Sequence, residues 1–423
     1  MFNIVREHTY NTPQTSWTGT PNALEKKAFL LDAPTTVSSF MQRLGRTGRR
    51  PGAQAEMNFF CGDEMTLLRA IAVVNLARRG WIEPVSPSRR AVHVLAHQAL
   101  AQALQFYGVQ RDQVSDFVQH AKPFSEITHT EFRQLLDHLT ATEVLQSVEG
   151  VFVLGPTGEK QYGRKNFLAL YSVFETPQEV TVTTTDRRVV GALQTWFVQQ
   201  TGGQAGFVFV LAGRAWQVLH LDFDEGVMVV TPAPRGAIPR WGGGGPLLGR
   251  EIAQEIRAVL QIDETYPFLT PRAQERLHRI RVQWAYIVSA GPLPMQSEGR
   301  AWHLYTSAGD RINLLLARAL GLLLGCEVKE DALALEITSS THVPLQRQDI
   351  SQALDTIRQP DFFSVDRVMA LVRALPRGRL SEFQALLPPE LEARFLAERL
   401  FDIEGLLGWI EEWGVFNAVN VSA

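Results

Sequence analysis

The sequence predicts a multidomain chain in which α/β and α+β segments flank an all-β stretch. Three observations lead there. The 423 residues exceed what one ordinary hydrophobic core organises. The apolar spacing changes character along the chain, from mixed strand and helix, to helices, to strands, and back to a mixture. With 45% apolar and 20% charged residues, the composition supports packed cores rather than disorder.

Residues 1–24, rich in Thr, Asn and Pro, show neither a helical nor a strand period and read as an irregular lead-in. An apolar run over 28–32 predicts a strand, and a helix carrying Phe40, Met41 and Leu44 follows from Thr35. Residues 57–61 read as a buried strand. Asp63 then opens a strongly apolar helix that ends at Arg78-Arg79-Gly80. Beyond the Pro84–Pro87 linker come three helices. Their apolar faces are Val92, Leu95, Ala99 and Ala103; Val114, Phe117 and Val118; and Phe132, Leu135, Leu136 and Leu139. Thr128 and Glu131 have the spacing of a capping box that starts the third helix. A strand at 151–154 with the turn Gly155-Pro156-Thr157-Gly158 completes an order that predicts a winged helix.

Strands are next predicted at 167–174, 179–184, 207–212, 215–222 and 227–231, which together read as a small β-barrel or sandwich. After the glycine run 242–245, helices at 251–260 and 271–287 lead into an α+β region. It has strands near 302–306, 327–329 and 333–338 and a helix over 310–324, and residues 349–413 read as helical.

The single pair of distant cysteines, Cys61 and Cys326, excludes a disulfide framework and a cysteine-built zinc site, and fits a reducing compartment. No apolar stretch is long enough to span a bilayer and no signal peptide opens the chain, so a cytoplasmic protein without a membrane partner is expected. A net charge of −3 means that any nucleic-acid site must be a local patch. Residues 1–50 carry seven basic groups against three acidic ones, whereas 380–423 carry two against eight. His93 and His97 stand four apart on a helix, but Val94 occupies the position where a zincin needs glutamate, so no metal is predicted.

The most specific segment is Gln42-Arg43-Leu44-Gly45-Arg46-Thr47-Gly48-Arg49. Arginines three apart, beside glycines that let the backbone approach closely, present guanidinium forks to a polyanion such as a triphosphate. An Arg/Gly loop binding any phosphate, or only solvent, is the alternative. The segment resembles the sixth motif of superfamily 2 (DEAD/DEAH-box) helicases. Its lead-in, Asp32-Ala33-Pro34-Thr35-Thr36-Val37-Ser38-Ser39-Phe40, is similar to that of large helicase-related (Lhr-like) helicases. The resemblance continues in order through Gly80-Trp81-Ile82-Glu83-Pro84-Val85, His93 to Gln98, Leu211 to Val218, Pro239-Arg240-Trp241-Gly242-Gly243 and Ser307 to Asn313. It covers residues 28–320 and is loose over the last hundred.

This resemblance implies a C-terminal helicase portion. Residues 1–85 would be a partial second RecA-like domain with the arginine-finger motif, 86–165 the winged helix, 166–248 the β-barrel and 249–423 an α+β to helical C-terminal domain. It further implies that Arg46 and Arg49 are arginine fingers, Gln42 a γ-phosphate contact, and Gly45 and Gly48 backbone allowances around ATP. None of the six lysines is followed by Ser or Thr, so no Walker A loop is present and the first motor domain is expected to be missing, as from a split, truncated or frameshifted gene. ATP with Mg2+ would then be bound only in an assembly with a complete motor, on a separate polypeptide, and not by this chain alone.

Single-stranded or duplex nucleic acid, DNA before RNA, is the implied partner. Candidate contacts are His129, Thr130, Arg133 and Gln134 on the third helix of the winged region, and the basic cluster Lys160, Arg164 and Lys165. A solvated polar face is the alternative for both groups. Trp241, set between Arg240 and glycines, suits stacking on a base or capping of the barrel. A module that binds nucleic acid or assembles with partners, without enzymatic activity, is the alternative to a working helicase part.

Overall fold

The computed structural model describes residues 2–5, 28–47, 55–85, 87–163, 170, 179–194, 205–211, 214–222, 226–233, 247–289, 293–339, 344–375 and 380–420. The chain divides into two compact units. One comprises Met1–Val85, Gly245–Ser364 and Leu400–Ala423, the other Ser86–Gly244 and Val365–Arg399.

The first unit opens with β1 (Phe2–Val5), β2 (Ala28–Leu31), α1 (Val37–Leu44), β3 (Met57–Phe60) and α2 (Glu64–Arg78). The strands form a parallel sheet in the order β1-β3-β2. β1 lies in the lead-in read as irregular, because four residues followed by a polar stretch carry too little period to reveal a strand. The Asp63 side chain accepts from Thr66 N at 2.7 Å and starts α2 where the sequence placed it. α2 is apolar nearly all round because it is covered nearly all round, sharing one core with Phe40, Met57 and Phe59 and with residues of two later helices, Arg250–Gln261 and Pro271–Ser289.

The second unit begins with α3 (Val92–Gln105), β4 (Val109–Gln110), α4 (Arg111–His120), α5 (His129–Ala141), β5 (Leu145–Val148), β6 (Val151–Leu154) and α6 (Pro156–Tyr162). The small sheet runs β4-β6-β5, which with the three preceding helices makes a winged helix. The capping box at the start of α5 is formed in both directions: Glu131 N donates to Thr128 Oγ1 at 3.2 Å, and Thr128 N donates to the Glu131 carboxylate at 2.9 Å.

A five-stranded sheet follows, built from β7 (Glu179–Thr184), β8 (Val189–Gln194), β9 (Val208–Leu211), β10 (Arg214–Asp222) and β11 (Val227–Pro232) in the order β8-β7-β11-β10-β9. Val182, Phe209, Trp216, Val218 and Val230 fill its inner face. Where the sequence predicts a small β-barrel or sandwich, the described residues form a half-barrel. β8 escaped the sequence reading because Gly191 and the preceding Asp186-Arg187-Arg188 break its apolar run. The strand expected at 167–174 lies outside the described residues apart from Leu170.

The chain then returns to the first unit with α7 (Arg250–Gln261), α8 (Pro271–Ser289), β12 (Met295–Glu298), β13 (Ala301–Tyr305), α9 (Asp310–Leu324), β14 (Glu327–Glu330), β15 (Ala334–Thr338) and α10 (Arg347–Ile357). The sheet order is β12-β13-β15-β14. Gly309 (φ 85°) makes the sharp entry into α9, and a Cβ there would sit 2.7 Å from Arg250 N, so only glycine fits. The neighbouring segment is a set of structural ties. Asp310 accepts from Leu248 N at 2.6 Å, Arg311 donates to Phe401 O, and the fully buried Asn313 joins Thr306 Oγ1 to Asp331 O.

Residues 249–423, expected as one domain, are divided between the units. α11 (Val365–Arg373) and α12 (Pro389–Leu400, as far as Arg399) belong with the winged helix, and α13 (Ile403–Asn420) with the first unit. For α12 and the residues just before it the reason is the core: Phe383, Leu386, Leu391 and Phe395 pack with Leu95, Phe132 and Leu135, more than 240 residues away in sequence.

Candidate nucleic-acid interface and the arginine motif

The arginine motif begins on α1 and continues past its C-terminus. Thr36 caps the helix, its Oγ1 accepting from Ser39 N at 3.2 Å. The Glu83 carboxylate accepts from Val37 N at 2.6 Å and from Ser38 N at 2.8 Å. This charge on the positive end of the helix, with Phe40 buried against Phe59, fixes how α1 is set on the sheet. Glu83 stands 45 residues beyond Ser38, and nothing local in the sequence announces its role.

At the other end Gly45 N donates to Met41 O and Thr47 Oγ1 to Leu44 O, so the chain leaves α1 in a tight turn. Gln42, Arg43, Gly45 and Arg46 are exposed, and the side chains of Gln42 and Arg46 have no partner among the described residues. Gly45 has an ordinary right-handed backbone (φ −65°), so its conformation does not require glycine. Gly48 and Arg49 lie outside the described residues.

In the winged helix, His129, Thr130 and Arg133 are exposed on α5, and the Arg133 side chain has no partner among the described residues. Gln134 does not join them: its Nε2 donates to Glu390 at 2.7 Å, a tie to α12. The adjacent buried Glu131 receives Arg90 and, at 2.7 Å, Arg394. Burial pushes its carboxyl up, but the hydrogen bonds from Thr128 and the two guanidiniums outweigh that and hold it below the usual carboxylate range.

The turn between β5 and β6 carries Glu149 and Gly150 and no basic residue. Lys160 is exposed on α6, while Arg164, Lys165 and Trp241 lie outside the described residues. A depression of about 270 Å³ at the start of α5 is lined by Ser115, Ser125, Thr128, His129 and Phe132, among others.

His93 and His97 are buried, packed at a tilt against Phe395 and Phe383 with ring centroids 4.5 and 4.7 Å apart, and His97 Nε2 lies 2.7 Å from Leu170 O. Burial, with Arg399 nearby, pushes the His93 imidazole down to about 4 and keeps it neutral. These rings are core, and no group of His, Cys, Asp or Glu suited to a metal ion occurs among the described residues. No described helix is long and apolar enough to cross a membrane.

Residues 75–238 match the winged helix domain of large helicase-related proteins, a span that takes in both the winged helix and the half-barrel. The chain is Lhr-like, resembling a C-terminal portion of these helicases. It is 24% identical over 233 residues to the ATP-dependent helicase Lhr-Core of Saccharolobus solfataricus, covering 54% of this chain and 26% of that one. Identity to the Lhr-Core of Methanocaldococcus jannaschii is 24% over 315 residues, covering 69% of this chain and 36% of that one. The structure of Mycobacterium smegmatis helicase Lhr bound to ssDNA and AMP-PNP shares the fold of the Lhr-like chain. The TM-score is 0.59 at 17% identity, over 92% of this chain and 53% of the other. The matched region is thus about half of that solved chain and a smaller share of the Lhr-Core relatives.

Proposed function

We propose that the chain serves as the C-terminal part of an ATP-dependent nucleic-acid helicase, binding and tracking one strand and lending Arg46 and Arg49 to a motor domain carried elsewhere. The observation that carries the reading is the exposed pair Gln42 and Arg46 at the end of a helix fixed by Glu83, in a chain whose middle matches the Lhr winged helix domain. The sheet beside the motif supports it. On β2, Phe29 is 62% and Leu31 73% exposed, although parallel sheets are ordinarily covered on both faces. A motor-bearing polypeptide is the partner that would cover this face and meet the arginines.

The residues present fit half of a nucleotide site. Gln42 and Arg46 can face a terminal phosphate, and the sequence offers no loop to cradle the inner ones. Bound ATP with Mg2+ would supply the phosphoryl group. This chain's part is to hold two guanidinium charges where negative charge develops.

Strand binding would fall to the second unit, through Arg133 on α5, with Lys160, Arg164, Lys165 and Trp241 as further contacts. Arg133→Ala should then lower the slope of log affinity against log salt for a single-stranded oligonucleotide by about 0.7, with thermal stability unchanged because the side chain is exposed. An unchanged slope would remove α5 from the strand's path.

A further inference from the structure

One end of the half-barrel gathers three arginines. β7 is antiparallel to β8 and parallel to β11, and β10 is antiparallel to both β11 and β9. It follows that the β7–β8 turn, the β9–β10 hairpin and the end of β11 at Pro232 all lie at one rim. That rim holds Arg187 and Arg188 in the turn and Arg214 at the head of β10, against one acid, Asp186. All three arginines are exposed, and the side chains of Arg187 and Arg214 have no partner among the described residues.

The two edge strands also approach one another. A Cβ built on Gly191 of β8 would lie 3.3 Å from the Leu211 side chain of β9, which shows how near the two strands come at that point. Arg214 is the register partner of Leu211 and so sits at that level. Arg188 is three residues before Gly191 and stands about 10 Å further along the strand direction.

We propose that Arg187, Arg188 and Arg214 form a phosphate-binding rim that carries the backbone of a single nucleic-acid strand. Cations spaced along an exposed edge match a ligand with repeating phosphates rather than one small anion. Guanidiniums on loops contact phosphates without reading bases, so the rim is indifferent to sequence. The assignment rests on the strand-binding reading above and adds to it a site that the basic clusters singled out in the sequence did not include.

The test uses the full chain and fluorescent oligothymidylate, with affinity measured across a salt series for wild type, R187A/R188A/R214A and R187K/R188K/R214K. The triple alanine variant is expected to lose about 2 from the salt slope, close to 0.7 for each phosphate contact, while the lysine variant keeps the wild-type slope. The melting temperature serves as the folding control, since all three side chains point from turns or strand ends into solvent. A wild-type slope in the alanine variant would overturn the rim and leave strand binding standing. Absence of binding by the wild type at low salt would overturn both.

Discussion

Replacing Arg46 by alanine is expected to lower nucleic-acid-stimulated ATP turnover by about 10³–10⁵ once the chain is combined with a polypeptide carrying a complete motor. The size follows from the task. A guanidinium placed beforehand where charge develops acts in a site from which water is excluded, and it costs no reorganisation when the reaction occurs. In this chain α1 is held at one end by Glu83 and along its length by Phe40, and Arg46 follows directly on its last turn. Arg46→Lys should recover little, because an ammonium cannot reproduce the planar fork. The chain alone should show no turnover. A reconstituted complex in which Arg46→Ala and Arg49→Ala hydrolyse ATP like wild type would remove the finger role.

Glu131→Ala should cost the second unit about 3 kcal/mol, at the lower end of the range for breaking a buried ion pair. The Glu131 carboxylate accepts from Thr128 N in the capping box of α5 and meets both Arg90 and Arg394, so its loss removes that half of the box, while the Thr128 cap on the backbone N of residue 131 stays, and leaves two guanidiniums without their shared partner. The cost stays at the lower end because Arg394 is 42% exposed and Arg90 retains Glu398 at 3.2 Å. Urea unfolding at pH 7, where His93 is neutral in both states for the most part, reads the difference directly. A loss under about 1 kcal/mol would show that α5 and α12 do not depend on this tie.

The parts of the fold legible in the sequence were those with strong local signals. The Thr128–Glu131 box, the apolar face of α5 and the run 310–324 each announce a helix within a dozen residues, and the structure has helices there. β1, β8 and β12 were missed because short strands interrupted by glycine or polar residues have no period to detect. The assignment of α12 to the winged-helix unit could not be read either, since it depends on Phe383 and Phe395 meeting residues hundreds of positions earlier.

The candidate site divides in the same way. Residue types and spacing marked Gln42, Arg46 and Arg133, which are all exposed. Long-range pairing decided what spacing could not. Gln134 lies on the same stretch of α5 but is engaged by Glu390, 256 residues on, and Glu83 anchors the arginine helix from outside the motif. Arg187, Arg188 and Arg214 are unremarkable along the chain and become a group only through strand directions.

Hydrogen exchange of the chain with and without a saturating single-stranded oligonucleotide tests most directly the claim that the second unit holds the strand while the arginine helix waits for a motor. The account predicts added protection at the start of α5 and at the β7–β8 and β9–β10 rim, with residues 37–47 unchanged. Protection of 37–47 with none in the second unit, or no protection anywhere, would contradict it.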